Sequence, residues 1–173
     1  SADPPGITPN ATGDGTTDDR AALAAADTAA VAADKPLVLL PGTHRVASTL
    51  SISSPVHFMP GAILQPDSGA TVTLNGGMTA LSTQQVFDVS AGGKASVRAA
   101  TSYPEWWGAV GDGTTDDATA IKMVFNDQIA AFSGGHVHIR GGKTYASTLP
   151  IDIKSNSTVT GSGMLKCLAQ HSA

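Results

Sequence analysis

Cys167 is the only cysteine, which excludes an internal disulfide and any metal site built from clustered thiolates. Charge is scarce as well: 14% of the 173 residues are charged, the net charge is −4, and the ten Lys and Arg are scattered. A chain without a basic stripe has no means of neutralising a row of phosphates, so nucleic acid is not an expected partner. No apolar run approaches the ~18 residues that suggest a membrane span. The opening "SADPPGITPN" has neither the basic region nor the apolar core of a signal peptide. These absences lead us to expect a soluble chain with no membrane insertion. Glutamate is almost missing too, with Glu105 the single example. What the chain does have is 19 glycines and 10 prolines along its whole length, which suits short strands and turns.

It also has a repeat. "GDGTTDD" at Gly13–Asp19 recurs at Gly111–Asp117, the second time preceded by "YPEWW". Further on, "LVLLPGTHRVASTLSI" from Leu37 falls on "HVHIRGGKTYASTLPI" from His136. This alignment sets Ala47-Ser48-Thr49-Leu50 on the identical Ala146-Ser147-Thr148-Leu149, and His44 and Arg45 on Lys143 and Thr144. Gly61-Ala62-Ile63 then matches Gly163-Met164-Leu165 after a short insertion in the second copy. An ordered internal repeat of this kind decides a fold wherever it exists.

The heptapeptide reads as a turn entering a helix. Thr17 or Asp18, and Thr115 or Asp116, are placed to accept hydrogen bonds from free backbone N–H groups, while Asp19 and Asp117 oppose the positive end of the helix dipole. Asp18–Ala33 is rich in Ala and predicts a helix that lies close to what it covers. Ile121, Val124, Phe125, Ile129 and Phe132 fall at helical spacing and predict a helix over Asp116–Ser133 with one buried face. Short segments rich in Val, Ile, Leu and Thr follow each helix. Strands are expected at Leu37–Leu40, Thr43–Ala47, Val56–Phe58, Ile63–Leu64, Thr71–Leu74, Val86–Val89 and Ser96–Val97. The second copy has its own at His136–Arg140, Tyr145–Ala146, Ile151–Ile153, Thr158–Thr160 and Met164–Leu168. Short strands at short intervals, begun by one helix, suggest a β-solenoid with a helix over an otherwise open end.

"GDGTTDDRAALAAA" and especially "YPEWWGAVGDGTTDD" resemble the opening of right-handed parallel β-helix proteins of the pectate-lyase-like superfamily, in the form found in bacteriophage tailspikes. "VHFMPGAILQPDSGATVTLNGG" and "QQVFDVSAGGKASV" are similar to their early coils, so the resemblance covers most of the chain. It implies a mainly β fold with short capping helices, in two tandem β-helix modules at 1–102 and 103–173, the second incomplete. It further implies a homotrimer on a phage tail, in the virion and extracellular, in contact with other tail proteins and with a bacterial surface polysaccharide. The role expected of this chain is structural: to initiate and cap the trimeric β-helix and to position a binding or depolymerase region. The alternative is a polysaccharide lyase or glycoside hydrolase with its active site in these coils or at a trimer interface.

Sugar hydrolysis needs two carboxylates about 5–10 Å apart. Outside the heptapeptides, Asp67, Asp88, Asp127 and Asp152 are available, with Asp88 and Asp152 the catalytic candidates, but no local pattern pairs them. Trp106 and Trp107 could stack on sugar rings, or wedge into the junction between the copies. His44 and Arg45 could touch an anionic glycan, or remain plain surface groups. His136, His138 and Arg140 alternate along a strand and project from one face. Two histidines so placed can bind a metal, yet no third ligand is identifiable and a solvent-facing surface accounts for them. Asp14, Asp18 and Asp19 lack the spacing of a calcium loop. We therefore expect no metal and no cofactor.

Overall fold

The computed structural model describes residues 6–127, 135–153 and 156–168. The chain is mainly β, with parallel strands stacked as a β-solenoid of about five turns, and with two α-helices among the described residues. It divides into two units, Ser1–Ala99 and Ala100–Ala173.

In the first unit three parallel sheets share the work. One joins β1 (Asp14–Asp18), β3 (Gly42–Val46) and β6 (Ala62–Pro66). A second joins β2 (Leu37–Leu39), β5 (Val56–Phe58) and β8 (Met78–Thr79), and a third β4 (Leu50–Ile52), β7 (Thr71–Leu74) and β9 (Lys94–Val97). Neighbours in each sheet come from successive coils of about twenty residues, the size of a solenoid repeat. Alternation along each short strand sends every second side chain inward, and the register stacks those side chains in ladders. Leu39 sits on Phe58, Leu50 on Val72 and Ala95, and Ile52 on Leu74 and Val97. All of these but Leu50 and Phe58 are fully buried, and those two nearly so. Each such Leu, Ile, Val or Phe contributes about 1.5–3 kcal/mol of transfer free energy.

Between β1 and β2 runs α1 (Arg20–Ala33), which lies against β2 and β4. Its buried face is Leu23, Ala26, Asp27 and Ala30, small enough to bring the helix close to the strands. Asp27 looks misplaced on that face until its partners are named. Its carboxylate accepts from the amides of Ser53 and Ser54 and from the Ser54 hydroxyl at 2.7–3.1 Å, pinning the helix to the turn after β4. The helix stops at Asp34, whose φ of 52° is left-handed and whose amide reaches back to the Ala30 and Val31 carbonyls.

The second unit repeats the plan in shorter form. β10 (Asp112–Asp116), β12 (Thr144–Ser147) and β14 (Met164–Cys167) make one parallel sheet, and β11 (Gly135–Ile139) and β13 (Ser157–Gly161) another. α2 is only Ala118–Lys122 before the backbone widens into a π turn at Met123–Asp127. Ile121, Val124 and Phe125 of the expected apolar face are buried, whereas Ile129 and Phe132 lie outside the described residues.

Several expected boundaries move. Polar β1 and β10 are strands, and where no strand was expected β4 pairs with β7 and β8 with β5. Val86–Val89 forms no strand: Phe87 makes a single bridge to Leu64 and packs edge-on to Phe58, so the segment fills the core without laddering. Ile151–Ile153 also forms none.

Candidate functional site

The two heptapeptides are where chemistry-bearing side chains gather, and each is built from its backbone outward. β1 meets β3 only at Asp14↔Thr43 and Asp18↔Arg45, and β10 meets β12 only at Asp112↔Thr144 and Asp116↔Ala146. Four steps on one strand against two on its partner force the residues between to bulge. Asp14 closes that bulge by accepting from the amides of Thr16 and Thr17 at 2.8 and 2.7 Å and from the Thr17 hydroxyl at 2.8 Å. Asp112 does the same for Thr114 and Thr115. These hydrogen bonds hold both carboxyls far below the usual carboxylate range.

Thr17 and Thr115 therefore do not cap the helices as expected, because their hydroxyls are committed to Asp14 and Asp112. Asp18 and Asp116 do accept the first helical amides, from Arg20 and Ala118 at 3.2 and 3.1 Å. Each also reaches across to the next coil, Asp18 to the Ala47 amide and Asp116 to the amide and hydroxyl of Thr148. Hydrogen bonds from Thr148 hold the Asp116 carboxyl low.

Asp19 and Asp117 occupy the N-cap positions but make no cap hydrogen bond. A capping side chain needs an extended backbone at that position. Asp19 is already near-helical at φ −85°, ψ −1°, and Asp117 at φ −89°, ψ 9°. Both carboxylates turn back instead. Asp19 accepts from the Thr12 amide and hydroxyl and the Gly13 amide at 2.8–3.0 Å, and Asp117 from the Val110 and Gly111 amides at 2.7 and 3.1 Å. Burial raises the Asp19 carboxyl, but these bonds and His44 outweigh it and hold it low. Gly13 and Gly111 have φ of 66° and 65°, a conformation that side chains rarely adopt.

The units diverge one step inward. Compared by strand register, each unit taken by itself, His44 is the counterpart of Tyr145 and Arg45 of Ala146, so the identical "ASTL" letters are offset by two positions and Ala47 corresponds to Thr148. His44 is 3% exposed, with Nδ1 3.2 Å from Asp19 Oδ2 and Nε2 3.0 Å from the Leu40 carbonyl. Tyr145 instead donates to Glu105 Oε1 at 2.7 Å, and Arg140 Nε donates to the same oxygen at 3.0 Å. Burial, and then Glu105, push the Tyr145 phenol well above its ordinary value. Glu105 is 6% exposed and ties Arg140, just past β11, and Tyr145 on β12 to the 3₁₀ turn Pro104–Trp107. Nothing about its neighbours in the sequence announced that role; the one signal was its being the only glutamate.

The glycan-contact candidates do not form a surface. His44 is buried, and Trp106 and Trp107, 5% and 3% exposed, pack inside the second unit against α2 and β11. Arg45 is half-buried and makes a two-pronged pair with Asp67 at 3.0 and 2.6 Å, while its third nitrogen donates to the Thr16 carbonyl. Asp88 accepts from Gln65 and Ser90. Burial raises its carboxyl, but those bonds prevail and hold it low, the reverse of what a general acid requires. Asp152 is exposed at the rim of a groove of about 260 Å³ lined by Ile121, Phe125, Leu149 and Pro150. The Asp127 side chain lies outside the described ones. Among the described residues no group of three or more His, Cys, Asp or Glu is placed to hold a metal. No family model, curated protein or solved structure matches the chain.

Proposed function

We propose that this chain starts and caps a β-solenoid of the phage-tailspike kind, with a structural rather than catalytic role. The observation that carries the reading is the open sheet edge presented by β13 and β14. Val159 stacks on Val137, which is fully buried, yet Val159 itself is 39% exposed. Leu165 stacks in the same way on buried Tyr145 and remains half-exposed. Among the described residues each of these two strands is paired along one edge only. A sheet edge with inward-type residues in solvent is a template for a further strand. Further coils, or the matching ends of sister subunits in a homotrimer, would use it.

On this reading the helices cover the solenoid, the heptapeptides lock each helix to its first coil, and the assembly presents a region that binds a bacterial surface polysaccharide. Contacts with other tail proteins and a place in the extracellular virion belong to the same proposal. Sedimentation equilibrium on the purified chain tests it. Association that weakens when Val159→Asp and Leu165→Asp are introduced supports the reading. A monomer whose properties are untouched by those changes refutes it. Release of reducing ends or unsaturated uronate from host capsule, lost in Asp88→Asn or Asp152→Asn, would instead establish the enzymatic alternative.

A further inference from the structure

The chain has four asparagines, and Asn75 is the one followed by glycine. It lies exposed in the turn between β7 and β8, where Gly77 has a φ of 81°. Both ends of this turn are held. The Asn75 amide donates to the Ile52 carbonyl at 2.8 Å, and the Gly77 carbonyl accepts from the Val56 amide at 3.1 Å. Gly76, between them, is pressed onto the preceding coil. A Cβ there would overlap the carbonyl groups of Ser53 and Ser54, whose amides Asp27 ties to α1. Packing thus admits only glycine after Asn75, and glycine shields its own backbone nitrogen least.

We propose that Asn75-Gly76 is a self-modifying site that converts to aspartate and isoaspartate, and that the isoaspartate form releases β8 from β5. The Gly76 nitrogen attacks the Asn75 side-chain carbonyl carbon and closes a succinimide ring. The Cγ–Nδ2 bond breaks, and ammonia leaves with the proton from Gly76. Water then opens the ring at either carbonyl, giving aspartate or an isoaspartate whose main chain runs through Cβ. Asparagine is a thermally labile residue, and water is the only co-reactant. Aspartate keeps the backbone length and adds a negative charge at an exposed position. Isoaspartate inserts a methylene between the two hydrogen bonds that hold the turn, where Gly76 has no room to shift toward Ser53 and Ser54. The Gly77 carbonyl is therefore displaced from the Val56 amide. Among the described residues β8 pairs with β5 alone, so the release is confined to one sheet edge. Asp14-Gly15 and Asp112-Gly113 offer the same spacing for ring closure. Each of those carboxyls is ionised and accepts three hydrogen bonds, which makes it a poor electrophile. The proposal is independent of the solenoid-capping role.

The test is storage of the full chain in warm, mildly alkaline buffer, followed by peptide mapping with mass spectrometry. Asn75 should deamidate several-fold faster than Asn10, Asn126 and Asn156, and yield both products. In the stored chain, the share of Val56 amides that lose hydrogen-exchange protection should equal the isoaspartate share. Gly76→Ala would collide with the Ser53–Ser54 turn, so Asn75→Ser is the blocked variant and should keep its protection through the same storage. Freshly prepared Asn75→Asp, which carries the charge on a backbone of normal length, should keep it as well. Loss of protection in that variant would trace the effect to charge and overturn the release step. Deamidation at Asn75 no faster than at the other three asparagines, or undiminished Val56 protection in chains that contain the isoaspartate, also overturns the proposal.

Discussion

Asp19 and Asp117 stand at the same place in two copies of one heptapeptide and use their carboxylates in the same way, on the two residues that precede the bulge. What lies behind them differs. In the first unit a buried histidine faces Asp19 directly; in the second the matching residue is Tyr145, which turns to Glu105 and leaves Asp117 to its two amides. The motif therefore consists of a backbone-locking part, which tolerates either neighbour, and an inner polar contact that each unit solves separately. The turn into the bulge, with its glycine at positive φ, leaves amides that need an acceptor, and a short carboxylate one residue before the helix reaches them.

Breaking the lock should cost most where the inner contact depends on it. Asp19→Ala removes the acceptor of three donors and the partner of a buried histidine and should cost about 3–4 kcal/mol, read by urea unfolding. Loss of exchange protection should centre on the Thr12 and Gly13 amides. Asp117→Ala strands two amides and should cost about 2–3 kcal/mol, with protection lost at Val110 and Gly111. Equal losses, or the reverse order, would show that His44 adds nothing to the first lock.

Next comes the contact peculiar to the second unit. Glu105→Ala, which leaves Arg140 and Tyr145 unpaired, should cost about 2–3 kcal/mol, and Tyr145→Phe about 1.5–3 kcal/mol, because one charge-assisted hydrogen bond is lost. The folded Tyr145 phenol holds its proton more tightly than the unfolded one. Its contribution is therefore intact below the unfolded value near pH ~10 and is lost as pH rises beyond it. Tyr145→Phe should remove that alkaline component from a stability–pH curve, while His44→Phe should not.

The smallest effect is expected at the bulges themselves. Asp14 and Asp112 are depressed by identical hydrogen bonds, so their contribution is present above the unfolded carboxyl value near pH ~4 and is lost as pH falls below it. Asp14→Asn and Asp112→Asn should flatten the acid limb of the same curve by equal, modest amounts. Unequal flattening would mean that the two bulges are not equivalent in solution.

Legibility followed the range of the interactions. β2, β5 and β7 were readable because Leu37, Val56 and Thr71 open short runs of strand-forming residues between turn signals. β1 and β10 were not, since Asp-Gly-Thr-Thr-Asp carries no apolar alternation and pairs only through its ends. The repeat was visible, but its register was not. Matching letters set Ala47 on Ala146, whereas the amides that donate to Asp18 and Asp116 belong to Ala47 and Thr148 and make those two the counterparts. The roles of Asp27 and Glu105 were not legible, because each is explained by partners that the chain reaches only after many intervening residues.

From the letters alone follow many of the short strands, the two helix starts and the doubling of the heptapeptide, because composition, spacing and turn chemistry are local. Only folding decides which acids bind which amides and which histidine is buried. Those outcomes depend on coils stacking in one register, and a shift of two residues, which the letters permit, would replace His44 and Tyr145 with different neighbours.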